Sequence, residues 1–517
     1  MSRGPLLLVL LALVAPAPAC SGGGSSTDTP DTTLDVPAPP DALDAIGTDA
    51  ADTPAPSDVG GTDAADATDV EVYAGPFHDP WTVVPSSELS APRAWAYQRG
   101  IIHNHSPFSH DGCDSKAWND DDTPNEDVIA ACRLDVRAGM CKSGQDFVFF
   151  TDHSAYMAHR EFPEVLMYLE GDTLIERGGR PVANRVRCDD GRQVIATAGT
   201  ESGMMPIGIE HHPEGSIADR KAVYNAEGPD AIARLHDLGA LVFLHHTEEW
   251  PPESVDDWPI DGIEIYNTHR NLMDNMSAAI HLYGQMRAHP ETIPAVELAL
   301  LGLFQENATD LEHWARVVHK KPMVGVLATD AHQNVFQAPS PDGERLDSFR
   351  RMMHWFSNYL LVPAPSTGLG AGGDVDDAVL KQAIAAGRVF GAFHFLGYPE
   401  GFDFHATAGG QVYEMGSKVE DPAATLIVKA PRVARLDPAA EKPELKVRLL
   451  KAADDATWAV VQEGPGDLQV EVGPGVYRAE VRMVPRHLTA WLGTTPEKFL
   501  NEFVWIYANA IYVAPGW

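Results

Sequence analysis

Positive charge is scarce in this chain. Against 74 Asp and Glu it carries 38 Lys and Arg, a formal net charge of −36. No stretch is basic enough to neutralise a phosphate backbone, so no nucleic-acid partner is expected. Cysteine is scarce too: there are five, none in CxxC spacing, which argues against a Cys-rich zinc site. The apolar run at residues 6–14 is too short for a transmembrane helix, which needs about 20 residues. No Gly-rich phosphate loop, internal repeat or aromatic row suited to carbohydrate is evident.

The N-terminus has the pattern of an export signal. Arg3 precedes the apolar run, and Ala17-Pro18-Ala19-Cys20 closes it with small residues before a cysteine. This resembles a bacterial lipoprotein signal over residues 1–19, with Cys20 lipidated as the mature N-terminus and anchoring the protein to a membrane. Ser21 after that cysteine favours sorting to the outer membrane. The alternative is an ordinary secretory peptide; either way the protein is expected to be exported. Residues 21–72 hold twelve Asp or Glu and no Lys or Arg, a composition that cannot bury enough apolar surface to offset its ordering entropy. Residues 20–75 are therefore expected to be a disordered acidic tether, and they carry a third of the formal charge. Cys113, Cys132, Cys141 and Cys188 remain, an even number compatible with one or two disulfides in an exported chain; three full pairings are possible.

The remaining chain is long enough for two domains. From about residue 95 to 395 apolar strands alternate with amphipathic helices. In residues 229–239, Ile232, Leu235 and Leu238 share a face, Pro229 opens the helix and Gly239 stops it. A second helix spans residues 374–387. Such alternation implies a parallel sheet or a (β/α) barrel over residues 76–395. After residue 396 the period changes to two. Leu468, Val470 and Val472, the Gly473-Pro474-Gly475 turn, and Tyr477, Ala479 and Val481 predict a half-buried antiparallel hairpin, and residues 396–517 a small β-sandwich-like domain.

Several strand-like runs end in metal-binding donors. Gly100-Ile101-Ile102 leads into His103-Asn104-His105, where side-chain alternation would turn both imidazoles to one face. Further runs end in Thr151-Asp152-His153, Gly199-Thr200-Glu201, His245-His246 and Asp330-Ala331-His332. Donors repeated at the ends of buried strands are what a multinuclear site at one mouth of a barrel requires. The other ten or so histidines show no such placement and read as surface or core residues.

Taken in order over residues 98–335, these motifs resemble the PHP (polymerase and histidinol phosphatase) superfamily. The resemblance implies a distorted (β/α)7 TIM-like barrel with its site at the strand C-termini, holding two or three divalent ions (zinc, manganese or iron). It implies the ligands His103, His105, His153, Glu201, His246, Asp330 and His332. After His105 the turn reads Ser109-His110-Asp111-Gly112, one residue longer than usual, so His110 or Asp111 supplies the next ligand; Asp111 directly precedes Gly112 and is preferred. After Glu201 the ligand is His211 or His212, and in the next motif, Gly239 to His246, it is His245 or His246. Strand neighbours face opposite ways, so one of each pair is expected, and the second is chosen. Asp152 is expected to act as a catalytic or supporting carboxylate, orienting an imidazole. The implied activity is hydrolysis of a small-molecule substrate by a metal-bound hydroxide, which needs neither a Ser-His-Asp arrangement nor a Cys nucleophile. Phosphoesters are the common substrates of the superfamily; carbamate or amide bonds are the alternative. A reading from another class is a non-catalytic cell-surface binding module. Asn267-Thr268-His269-Arg270, after the strand at 262–266, is a candidate substrate contact.

Overall fold

The computed structural model describes residues 77–119, 123–364, 375–454 and 456–516. The leader, Cys20 and the acidic tether lie outside them. The described residues form one compact unit.

Seven strands close a barrel. They are β1 (Trp95–Asn104), β2 (Phe147–Phe149), β5 (Gln193–Gly199), β6 (Met205–Ile209), β7 (Leu241–Leu244), β8 (Gly262–Asn267) and β9 (Val324–Ala331), with a hairpin, β3 (Thr173–Arg177) and β4 (Arg180–Arg187), inserted before β5. The pairs β1–β2, β2–β5, β7–β8, β8–β9 and β9–β1 are parallel, whereas β5–β6 and β6–β7 are antiparallel. This is a β-dominated mixed barrel, which corrects the expected distorted (β/α)7 TIM-like barrel. The cause is local. Only residues 200–204 separate β5 from β6, and a parallel crossover needs about a dozen residues or more. Gly199 allows the tight return, since a Cβ there would lie 2.4 Å from the Pro206 carbonyl oxygen and 2.6 Å from that of Phe150.

One set of alternate positions fills the barrel: Ile102, Phe147 and Phe149, Ile195, Met205 and Ile207, Phe243, and Val324 and Val326 cluster with Leu380, Ala383 and Ile384. The last three lie on the helix Asp377–Ala385, capped by Asp376, whose side chain accepts from Val379 N. The other face of the strands packs against outer helices such as Glu126–Lys142 and Pro229–Asp237, the latter followed by Gly239 at φ 81°.

Beyond the ring, β10 (Phe356–Pro363) pairs with the first half of β1, and β11 (Val389–Phe393) pairs with β10. The strand Phe503–Ala508 hydrogen-bonds to β11, so the sheet runs without a break across residue 396. Two buried amides stitch this extension to β9: Asn358 bonds to the backbone N and O of Leu327, and Asn509 to those of Gly325, all at 2.8–2.9 Å. The expected hairpin around Gly473–Gly475 does not form. Leu468–Val472 pairs with Ala424–Lys429, while Gly475–Val484 pairs with Glu444–Ala452 in the larger sheet. Alternation marks a half-buried strand but does not choose its partner. The four cysteines pair as Cys113–Cys132 and Cys141–Cys188.

Candidate metal centre

Donors gather where the parallel strands end. At the end of β1, His103 adopts a left-handed backbone (φ 65°) and the β1–β9 register shifts across it. His103 and His105 therefore meet through a bulge and not through regular alternation, with their Nε2 atoms 3.3 Å apart. His246 (φ 44°) and Asp330 (φ 48°) are also left-handed. Non-glycine residues seldom adopt this conformation, which costs of order 1–3 kcal/mol and clusters at functional sites.

Four buried donor atoms form a nest: His103 Nε2, His105 Nε2, Glu201 Oε2 and Asp330 Oδ1. His103 lies 3.5 Å from Glu201 and 3.3 Å from Asp330, and His105 lies 3.2 and 3.1 Å from the same two oxygens. Ligand bonds of about 2.0–2.1 Å set neighbouring donors about 2.9–3.4 Å apart around one ion, so these separations match the edges of a coordination shell. Among the described residues Asp330 Oδ1 has no hydrogen-bond partner despite its burial, which fits a metal ligand and not a satisfied core acid.

The same carboxylates face further donors. Glu201 Oε1 lies 3.1 Å from His245 Nδ1 and 3.0 Å from His246 Nε2. Asp330 Oδ2 lies 3.3 Å from His246 Nε2 and 3.1 Å from His269 Nδ1. Asp111 Oδ2 lies 3.1 Å from His153 Nε2 and 3.4 Å from His332 Nε2, with the half-exposed His110 at 3.7 Å. Glu201 and Asp330 thus each present one oxygen to the nest and the other to a neighbouring group, as a carboxylate bridging two ions would. These clusters of His, Glu and Asp could hold a metal ion.

The opposite nitrogens of several imidazoles are engaged, which fixes the rings. His103 Nδ1 donates to Glu264 Oε1 at 2.5 Å, His105 Nδ1 contacts Ser109 Oγ at 3.0 Å, and His153 Nδ1 donates to the Glu201 carbonyl at 3.1 Å. His245 Nε2 donates to the Ser202 carbonyl at 3.1 Å. Without a metal, burial opposes charge on His103, but Glu264, Asp330 and Glu201 outweigh it and hold the imidazolium well above its ordinary range. Against the same burial, Asp111, Asp330 and Glu201 push His105 up to about 10, and Asp330 and Glu201 raise His246. Burial disfavours the charge on Asp330, yet His103, His332 and His269 keep it well below the usual carboxylate range.

Eight of the nine expected ligands are in these groups. His212 is not. Its Nε2 donates to the Arg160 carbonyl at 2.6 Å and its Nδ1 accepts from the Tyr224 hydroxyl at 2.9 Å; both nitrogens are spent on packing, and burial lowers its pKa to about 4. His211 is also outside the groups, its Nδ1 directed at the His212 carbonyl. Both His245 and His246 reach Glu201, because β7 ends at Leu244 and the left-handed turn at His246 breaks the alternation that would have separated them. Asp152 does not face the groups. One oxygen accepts from Ser106 N and the other from Ser106 Oγ, both at 2.7 Å, so it anchors the turn that follows His105; burial raises its carboxyl to about 6.

Glu264 is not among the residues the sequence points to, and His269, expected as a substrate contact, lies instead in a donor group with Asp330 and His332. Glu264 is fully buried on β8, and its second oxygen accepts from His246 N at 2.9 Å and Asn267 Nδ2 at 3.0 Å. A lone acid inside the otherwise apolar strand at 262–266 was the available signal. His269 sits in the helix Thr268–Asp274, capped by Asn267, just beyond β8.

No protein-family model matches this chain, and no curated protein matches it. Among solved structures, the crystal structure of PsfC from Pseudomonas syringae PB-5123 is 12% identical, covering 57% of this chain and 92% of that chain with a TM-score of 0.30, a likeness too loose to carry an argument.

Proposed function

We propose that this protein is a metal-dependent hydrolase of a small-molecule substrate, holding two or three divalent ions (zinc, manganese or iron) among His103, His105, Asp111, His153, Glu201, His245, His246, His269, Asp330 and His332. The observation that carries the reading is the four-donor nest, with Glu201 and Asp330 each offering a second oxygen to an adjoining group. The order of the motifs, which resembles that of the PHP superfamily in its donors, agrees with it. Ions bound there would supply Lewis acidity, activating water near neutral pH and polarising the bond to be broken.

The chain's own residues have defined parts. Glu264 fixes the His103 ring and, through the backbone N–H, the turn at His246. Asp152 holds the Ser106 turn, and Ser109 Oγ links His105 Nδ1 to Asp111 Oδ1 at 3.0 and 2.7 Å. His110, with its side chain 46% exposed beside Asp111 and His153, would meet the substrate and exchange a proton with its leaving atom. Phosphoesters are the proposed substrates and carbamates or amides the alternative.

The test is a panel of phosphomonoesters, phosphodiesters, carbamates and amides offered to the metal-loaded protein. Turnover that disappears in Asp330→Ala with a native-like circular dichroism spectrum is expected; no turnover on any class would favour the binding-module reading. We also propose export with lipid on Cys20. Two disulfides that use all four remaining cysteines suit an oxidising compartment, and among the described residues no helix is long and apolar enough to cross a membrane. Cys20→Ser is expected to move the protein out of the membrane fraction; unchanged partitioning would contradict the lipid anchor.

A further inference from the structure

We propose that the Cys113–Cys132 disulfide is a positioning device for the metal centre: it holds Asp111, and the donor groups Asp111 shares, in place, while the nest of His103, His105, Glu201 and Asp330 stands without it. The inference rests on the metal reading above.

The nest residues lie in the last two positions of strands braced by the barrel ladder, or within two residues beyond them. Asp111 differs. It lies in a segment, residues 106–118, with no helix and no strand beyond isolated bridges. Its path is tight, because a Cβ on Gly112 would lie 2.2 Å from the Ser106 carbonyl oxygen. Noncovalent ties run mainly to the chain just after β9: Asn334 Nδ2 donates to the Asp111 carbonyl at 2.6 Å, Gln333 N to the Gly112 carbonyl at 3.1 Å, and Cys113 forms a bridge with Gln333. An ion pair between Asp114 and Arg345 adds to these. The disulfide, two residues past Asp111, is the covalent tie, and it reaches the helix Glu126–Lys142 through Cys132.

Asp111 is the carboxylate common to two donor groups, His105–Asp111–His332 and His110–Asp111–His153, and absent from the nest. A shift of its segment would weaken those two groups and leave the nest in register. The second disulfide provides a control within the same fold. Cys141–Cys188 ties the end of the same helix to the turn after β4, and neither cysteine borders a donor group.

The experiment compares the protein with its C113S/C132S and C141S/C188S variants. Each is reconstituted with zinc or manganese and analysed for metal per folded chain, then titrated against a chromophoric chelator. Serine pairs avoid freed thiols that would themselves bind zinc. The parent and C141S/C188S are expected to match, and C113S/C132S to lose about one ion per chain or to hold it about ten-fold or more weakly. If C113S/C132S does not fold, the manganese-loaded C141S/C188S variant, whose remaining bridge is Cys113–Cys132, is reduced with a phosphine and its freed thiols are capped with iodoacetamide. The phosphine gives two electrons and becomes its oxide, taking oxygen from water, and the S–S bond becomes two S–H groups; release of about one ion is expected. Unchanged metal after loss of the Cys113–Cys132 bridge, an equal loss from C141S/C188S, or loss of every ion overturns the proposal. A folded parent that takes up no ion overturns the metal reading and this inference together.

Discussion

Replacing Glu264 by glutamine should weaken the metal centre without touching a ligand. The side chain is fully buried and meets three donors: His103 Nδ1–H at 2.5 Å, His246 N–H at 2.9 Å and an Asn267 Nδ2–H at 3.0 Å. Both carboxylate oxygens are therefore acceptors. Glutamine keeps the volume but turns one oxygen into an NH2 that must face His103, or else His246 and Asn267, donor against donor. A hydrogen bond to a charged group contributes roughly 1.5–3 kcal/mol. Loss of a partner that orients a metal-bound histidine typically lowers affinity about 10–100-fold, or about 1.4–2.7 kcal/mol. The two routes agree, so Glu264→Gln is expected to bind its tightest ion 10–100-fold more weakly by these principles, read by chelator competition on a sample with a native circular dichroism spectrum. A folded variant within about two-fold of the parent would refute the view that Glu264 sets the His103 ring.

His212→Ala should leave metal content unchanged while lowering stability by roughly 1–3 kcal/mol, because the Arg160 carbonyl and Tyr224 hydroxyl lose their partner; a lost ion would return His212 to the site. Metal uptake at pH 7 should release protons, since the surrounding carboxylates keep His103, His105 and His246 charged in the metal-free protein and ligation needs neutral imidazoles. Affinity should then fall as pH falls, and calorimetry in buffers of different ionisation enthalpy that finds no proton release would contradict this. Glu297 lies buried against His354, Arg350 and Arg351; they outweigh the penalty of burial and hold its carboxyl down at about 2 against an ordinary 4.5. Its contribution, roughly 3 kcal/mol as an upper figure, is present above pH 4.5 and lost as pH falls toward 2. Denaturant titrations of Glu297→Gln should show lower stability at pH 7 and a flatter acid limb; parallel curves would count against it.

The donors were legible in the sequence because apolar runs that stop at His, Asp or Glu mark buried strand ends, and most of the expected ligands lie in the donor groups. Strand direction was not legible. Helix–strand alternation suggested uniform parallel order, and the five residues between Gly199 and Met205 held the contrary signal. His245 joins His246 because a left-handed turn, invisible to period-two reasoning, follows β7. His212 was attractive for its spacing after Glu201, but Tyr224 and the Arg160 carbonyl claim both its nitrogens across the fold. Glu264 hid inside an apolar strand, where no motif pointed to it. Disulfide pairing and the partners of the C-terminal strands depend on contacts far apart in the chain, which local pattern does not encode.

The most direct test of the metal centre is the metal content of the folded, reconstituted protein by elemental analysis. The overlapping donor groups sharing Glu201, Asp330 and Asp111 predict two or more zinc or manganese ions per chain, since one four-coordinate ion would leave more than half of these donors unused. A folded sample that holds one ion or none after reconstitution would contradict the multinuclear site.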